Sequence, residues 1–540
     1  MSNLIIQNAH VQTINPTQPT AEAVVIEGNT IKFVGSNAEA AKLRQADSQM
    51  IDGMGHTLMP GIHDSHFHLY AGSMGINDLR LEEVNSLEQL SQAIRKHAAD
   101  RTEKEWVLGG GLAYDVLGAT EALTRHHLDE ILPHRPVMIR SLDLHSAWCN
   151  TLALERAAIL HGRELPPPAE ILMDHSGLAT GQLNEWDALN LVESIIPETS
   201  EAEKLDLLRQ GLARCASFGI TSVTNMFGNA NQFNLLHQLE TGGELTCRVT
   251  IPFHYTPDMP LSIIKSEAVP LVQQYNSDLL RGGGVKIFMD GVIESYTSLL
   301  LAPYANRPDS FGETIYDQKR FNQLAAEVDQ YGLQIVTHAI GDGSVRWTLD
   351  GYEYAQQQNG RRDSRHRIEH VELLHDEDLP RFKELGVIAA MQPLHASRPE
   401  IDYYTNWLNC VGEERYHAGF RWKDLADLGV PVPLGSDWPV VTMNPFMGMA
   451  WAINRQAWRT DLDPQAFSVA ETLANYTTVP AYAEFTEAKK GRIQPDMLAD
   501  VVLLSDDITQ IDPESIKDLS ADLTITGGQI VYRRFGFGGN

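Results

Sequence analysis

The strongest constraint on this chain is a rhythm. Eight short apolar runs, each ending in polar residues, alternate with helix-length amphipathic stretches from residue 56 to residue 440. The runs are "HTLMPGIHDSHFH", "GITSVTNMF", "TCRVTIPFHY", "GGVKIFMDG", "LQIVTHAIGD", "RHRIEHVELL", "GVIAAMQPLH" and "GVPVPLGSDWPV". Helical patterns such as "EAEKLDLLRQGLARCASFG" and "QKRFNQLAAEVDQYG" lie between them, closed by the glycines that stop helices. Strand–helix units in such succession predict an α/β chain built on a (β/α)8 TIM barrel.

The two ends of the chain read differently. Residues 1–59 alternate β-rich pieces with Gly and Asn turns, and residues 490–540 repeat that character in "ADVVLLSDD" and "ADLTITGGQIVYRR". Neither end buries enough surface to stand alone, so together they predict a small composite β-sandwich domain. The barrel is then expected over 60–489. Residues 70–200 are too long for one βα connection and are read as an insertion after the first barrel strand, over the barrel mouth.

Composition narrows the function. A formal charge of -29 and a pI near 5.0 repel phosphate and argue against nucleic acid. Four scattered cysteines form no CxxC pair, which excludes a cysteine zinc cluster and favours a reducing compartment. No apolar stretch reaches membrane length, and the start "MSNLIIQNAHVQTIN" lacks the pattern of a signal peptide. The expectation is a cytoplasmic protein with a small-molecule substrate and no nucleic-acid or membrane partner; a homo-oligomer stays open. "LGGGLA" lacks the lysine of a phosphate loop, and no GxSxG elbow is present.

Barrel enzymes place their chemistry at the C-terminal ends of the strands. There the first run carries His66 and His68, the fourth Lys286, the fifth His338, the sixth His370 and the eighth Asp437. Side chains alternate faces along a strand, so His66 and His68 point one way with Asp64, and His63 points the other, to a supporting role. A lone histidine in such a run is usually a hydrogen-bonded core residue. Four of them with an aspartate at equivalent strand ends predict an open site for one or two divalent metal ions, zinc first, held without thiolate. Lys286 is an ammonium in a barrel interior. It either pairs with Asp290 or reacts with carbon dioxide to become an anionic carbamate. His126, His127, His97 and His161 read as solvated, and spacing singles out none of His175, His375 and His395.

"PGIHDSHFH", "VKIFMDG", "VTHAIGD", "IEHVELL" and "GSDWPV" together resemble the amidohydrolase superfamily. The similarity is strongest to its amidohydrolase 3 branch, which includes N-substituted formamide deformylase-like proteins, and extends to "DLHSAWCN" in the insertion. The resemblance implies metal ligands His66, His68, Lys286, His338, His370 and Asp437. His66, His68 and Asp437 would hold the more buried ion, His338 and His370 the second, and carboxylated Lys286 would bridge them. It also implies hydrolysis of a non-peptide carbon–nitrogen bond, with Asp437 as the catalytic proton carrier. The alternatives are a mononuclear deaminase of a heterocyclic base and an inactive scaffold. Deaminases of that type place a glutamate three residues after the fifth-strand histidine, where this chain has Gly341, and they lack the fourth-strand lysine. The full ligand set argues against a scaffold.

Substrate recognition is expected from Tyr114, His145, Asp290 and Trp438, with Asp115, Trp148 and Glu185 as further candidates. Packing is the competing role for the tryptophans, and orientation of metal ligands is the competing role for Asp290 and His145.

Overall fold

The computed structural model describes residues 3–537 except 82, 115, 119–120, 142–145, 167–168 and 397–404. Seven strands make one parallel sheet: β1 (Ile62–Phe67), β2 (Ile220–Asn225), β3 (Arg248–His254), β4 (Leu280–Phe288), β5 (Ile335–Ala339), β6 (Arg367–His370) and β7 (Ile388–Ala390). Each strand pairs with its neighbour in chain order, so the sheet curls into a nearly closed barrel.

The eighth position is closed by residues 431–437 without a regular strand. Pro431 and Pro433 have no N–H to give, which breaks the ladder. Their carbonyls still accept, from Ala389 N (3.1 Å) and Met391 N (3.1 Å) of the β7 side. On the other side Ser65 N donates to Leu434 O (3.1 Å) and Asp437 N to His66 O (2.8 Å). The segment therefore bridges β7 and β1 and completes the ring.

Helices return the chain between strands, with ends set by local chemistry. Asn229 caps Ala230–Thr241 by accepting from Gln232 N, and Asp317 caps Gln318–Gln330 by accepting from Arg320 N. Gly386, at φ +69°, ends Leu379–Leu385 in the left-handed conformation that glycine adopts without strain.

The chain ends build two further sheets. One has four strands in the order Thr30–Gly35, Ala23–Glu27, Asn3–Gln7, Gln49–Asp52. The other has six and interleaves both termini: Gln529–Arg533, Ala521–Thr526 and Val501–Leu504 continue into Thr57–Pro60, His10–Gln12 and Thr20–Ala21. Leu4, Ile6, Val24, Ile26, Leu58, Val501, Leu503 and Ile525 share one apolar core. Arg248 at the start of β3 clamps Asp500 through two hydrogen bonds of 2.6 and 2.8 Å, with both side chains buried.

These elements form one compact unit, Met1–Ser73 with Leu205–Asn540; Met74–Lys204 forms another. The second unit has a six-stranded sheet of its own, running Glu170–Met173, Ala179–Asn184, Ser146–Cys149, Val137–Ser141, Val107–Leu112, Leu79–Arg80. Leu90, Ile94, Leu128 and Trp148 contribute to one of its cores. Among the described residues, no helix is long and apolar enough to cross a membrane.

Candidate metal centre

β1 delivers His66, His68 follows its last residue, and the bridging segment delivers Asp437. Asp437 Oδ1 lies 3.0 Å from His68 Nε2 and 3.4 Å from His66 Nε2. β6 brings His370, whose ring centre is 4.7 Å from that of His66 and 4.5 Å from that of His338 on β5. His66, His370 and Asp437 offer three buried ligand atoms within 4.8 Å of one another. That spacing suits a single cation.

The backbone is bent to make this possible. Arg367 and Glu369 face the barrel interior, so strict alternation would set His370 on the opposite side with Ile368. Left-handed φ angles of +78° at His370 and +46° at Val371 end that alternation, and Asp437 has φ +62°. Such angles cost about 1–3 kcal/mol each in residues other than glycine and gather at functional sites. Gly435 lets the bridging segment approach β1, because a Cβ there would lie 2.5 Å from His66 N and 2.8 Å from Asp64 Oδ1.

Supporting groups orient the imidazoles. His66 Nδ1 is 2.6 Å from Glu369 Oε2, and Arg367 holds Glu369 through Nε (2.8 Å) and Nη2 (3.1 Å) while donating to Ser65 O. His370 Nδ1 is 2.8 Å from Gln392 Oε1. These contacts leave the Nε2 atoms of His66 and His370 to face the centre, the usual arrangement around a ligated metal. Asp64 accepts from Ser436 N and His66 N, and burial pushes its carboxyl up to about 7. His63 faces away and lies 3.2 Å from Glu484 in a buried group with Lys490.

Electrostatics favour neutral imidazole ligands. Burial, then the Lys286 charge, holds His66 and His338 well below the ordinary histidine range, His338 at about 3. Burial with the neighbouring His338 does the same for His370. Burial also lowers Lys286 to about 8 against the opposing pull of Glu369 and Asp437. Lys286 Nζ has no hydrogen-bond partner and lies 4.8 Å from the centre of the Phe288 ring. A buried amine without a hydrogen bond is costly unless something occupies the space beside it. Donor types, neutral imidazoles and the amine without a hydrogen bond all fit a divalent ion.

Asp290 does not pair with Lys286. It accepts from Ile340 N and Gly341 N, both at 3.1 Å, and stands 3.7 Å from His338 Nε2. Trp438 is buried, stacked on Phe67 with ring centres 5.0 Å apart and pressed against Gly72. Tyr114 belongs to the Met74–Lys204 unit, where its hydroxyl donates to Ser146 Oγ (2.8 Å) and its edge meets Trp148. His145 and Asp115 lie outside the described residues.

Several site residues escape sequence reasoning. Glu369 reads as part of an ordinary apolar run. His395 stands at the end of the seventh run, a position that signals the site better than its spacing does. Its ring lies parallel to that of His370 at 5.8 Å, with Nε2 3.8 Å from Asp437 Oδ2 and Nδ1 3.7 Å from Glu372 Oε1. Phe227, His254 and Phe288 follow or end β2, β3 and β4 and pack against the histidines.

A parallel barrel carrying this set at its strand ends is the architecture of a metal-dependent hydrolase. Residues 49–532 match the model of the amidohydrolase family, and the chain belongs to that family. It is a hydrolase acting on carbon–nitrogen bonds other than peptide bonds. It is 28% identical to the protein LONG AFTER FAR-RED 3 of Arabidopsis thaliana, over 98% of this chain and 92% of that one. It is 26% identical to the N-substituted formamide deformylase of Arthrobacter pascens, over 99% of both. An uncharacterized metal-dependent hydrolase from Pyrococcus furiosus superposes with a TM-score of 0.75 at 25% identity, covering 95% of this chain and 100% of that one.

Proposed function

We propose that this chain hydrolyses a small non-peptide amide, with N-substituted formamides as the first substrate class. The observation that carries the reading is the meeting of His66, His370 and Asp437 near the buried Lys286 amine, which has no hydrogen-bond partner. The similarity to a formamide deformylase over almost the whole chain supports the substrate class.

In this reading His66, His68, His338, His370 and Asp437 hold one or two divalent ions, zinc first. When bound, the metal supplies a lowered pKa for water, towards about 7, and a polarised amide carbonyl. Lys286, whose amine is partly neutral near neutral pH, adds to carbon dioxide: an N–C bond forms and one proton leaves. The resulting carbamate replaces a buried cation by an anion with two ligand oxygens. Glu369 and Gln392 keep His66 and His370 turned towards the centre throughout.

Asp437 moves the proton. Its carboxylate takes one from the attacking water and returns it to the amide nitrogen, because an amine leaves as a neutral molecule only once protonated. The terminal sheets form one β-sandwich domain in this account, residues 70–200 are the inserted segment, and the protein works in the cytoplasm. A panel of N-substituted formamides, N-acyl amines, cyclic amides and aminopyrimidines, run with zinc and bicarbonate, tests the proposal. Amine and formate release from the formamides is expected. Ammonia release from aminopyrimidines in their place overturns it.

A further inference from the structure

The chain turns sharply after β7, and the turn carries a histidine with no part yet in the proposed hydrolysis. His395 N donates to Gln392 O (3.1 Å), closing one tight helical turn over Pro393–His395. At one end of the turn Gln392 meets His370 Nδ1; at the other, the His395 ring lies 4° from parallel to the His370 ring. His395 is thereby set between two carboxylates, with Nδ1 facing Glu372 Oε1 at 3.7 Å and Nε2 facing Asp437 Oδ2 at 3.8 Å. Glu372 is itself held, because the buried Trp407 donates from Nε1 to its other oxygen at 2.9 Å. An imidazole with an acceptor facing each nitrogen is a donor from both. Nε2 is buried and, among the described residues, has no hydrogen-bond partner. A separation of 3.8 Å is too long for a hydrogen bond, so this donor is aimed at the space beside Asp437 Oδ2 rather than spent on it.

We infer that His395 is a further catalytic residue: its Nε2–H donates to the scissile carbonyl oxygen and stabilises the negative charge that develops there as water attacks. The inference rests on the amide-hydrolase reading and adds to it a donor supplied by the protein itself. Asp437 Oδ1 lies on the side of His66 and His68, 3.4 and 3.0 Å from their Nε2 atoms, which leaves Oδ2 to exchange the proton with the reacting group. The leaving nitrogen and the carbonyl oxygen share one carbon. A nitrogen hydrogen-bonded to Oδ2 therefore carries the oxygen into the space that Nε2 faces. Glu372 and Trp407 hold the donor in place before substrate arrives, and a donor fixed in a buried site stabilises developing charge far more than a neutral carbonyl. Its effect falls on kcat rather than on KM.

The test exchanges the acceptor atom. N-methylformamide and N-methylthioformamide, whose sulfur accepts hydrogen bonds weakly, are compared as substrates of the metal-loaded full chain in wild type, His395→Phe, His395→Leu and His395→Gln. Phenylalanine keeps a ring against His370 without the N–H, leucine covers the case in which that variant does not fold, and glutamine restores an N–H. In the phenylalanine variant kcat for the oxygen compound is expected to fall about 10²–10³-fold with KM little changed, and metal per chain, read by elemental analysis, to stay the same. The oxygen-to-sulfur ratio of kcat/KM is expected to fall about tenfold or more, and glutamine to recover part of it. The metal's own preference between oxygen and sulfur is common to all four proteins and cancels. An unchanged ratio in a folded, metal-loaded variant overturns the inference, because a histidine that only packs beside Asp437 would slow both compounds alike. Should wild type hydrolyse neither compound, the amide-hydrolase reading falls by itself and calorimetry with methylphosphonate, a tetrahedral anion, judges His395. Binding that His395→Phe weakens about tenfold upholds the donor; equal binding to both proteins, or binding to neither, refutes it.

Discussion

Asp437 sits with a left-handed backbone, a carboxylate shared between two histidines, and a proton to carry in the proposed reaction. Burial alone would raise its pKa; the His68 hydrogen bond and the charges of His68, His395 and Lys286 outweigh burial and keep it ionised. Asp437→Asn keeps the shape and removes the proton carrier. Its kcat is expected to fall by about 10²–10⁴ while far-UV circular dichroism stays unchanged; a loss under tenfold would mean that another group moves the proton. At this scale His66, His68, Lys286, His338, His370 and Asp437 are legible because each falls late in an otherwise apolar run and is a residue that such a run does not need. The roles of Glu369 and His395 are not legible even so, although His395 ends the seventh run. Their contacts join β6 to β1 and the seventh-run loop to the bridging segment, and no local pattern encodes such pairings.

At the scale of elements, prolines and glycines decide how the barrel closes. The run "GVPVPLGSDWPV" has the composition of an eighth strand, yet Pro431 and Pro433 have no N–H and meet the β7 side through their carbonyls alone. Gly435 then sets the distance between this segment and β1. Gly435→Ala places a methyl group against His66 N and is expected to cost about 1–3 kcal/mol by overpacking, and to lower bound metal per chain, read by elemental analysis. A second element-level device lies where the helix Gln318–Gln330 meets the entry to β6. There Asp329 is buried, and hydrogen bonds from His366 and Asn359 with the charge of Arg362 outweigh that burial and hold it at about 2. A carboxyl depressed in the folded state stabilises above its unfolded value, near 3.8, and that stability is lost as pH falls through about 2. Wild type should therefore lose melting temperature more steeply than Asp329→Asn between pH 4 and pH 2. Parallel curves would show that the carboxylate contributes nothing.

For the whole molecule, metal and fold are expected to be coupled. A ligand that binds only the native state stabilises by about 4 kcal/mol at a thousandfold excess over Kd. Removing it also returns buried imidazoles and carboxylates to an uncompensated state. Stripping with a chelator should lower the melting temperature and abolish activity, and zinc with bicarbonate should restore both. A melting curve indifferent to chelation would argue that the cluster holds no ion. The same scale explains the Arg248–Asp500 clamp, which fastens the first residue of β3 to the segment before Val501–Leu504. Truncating one partner of such a buried pair costs about 3–5 kcal/mol, so Asp500→Ala should unfold at lower denaturant than wild type.

What the amino-acid order determined by itself was periodic or compositional: the strand–helix alternation that makes a barrel, the β character of both ends, and the polar residues that close the apolar runs. These are local signals, written within one element by spacing and turn chemistry. Tertiary structure alone decided the rest. It ended the face alternation at His370, replaced a regular eighth strand by a proline-broken bridge, and buried Trp438 in packing. It also brought Phe227 and Phe288 beside the histidines. Each depends on which surfaces meet across hundreds of residues, and the free energy of those meetings comes from packing and burial rather than from any property of the neighbouring sequence.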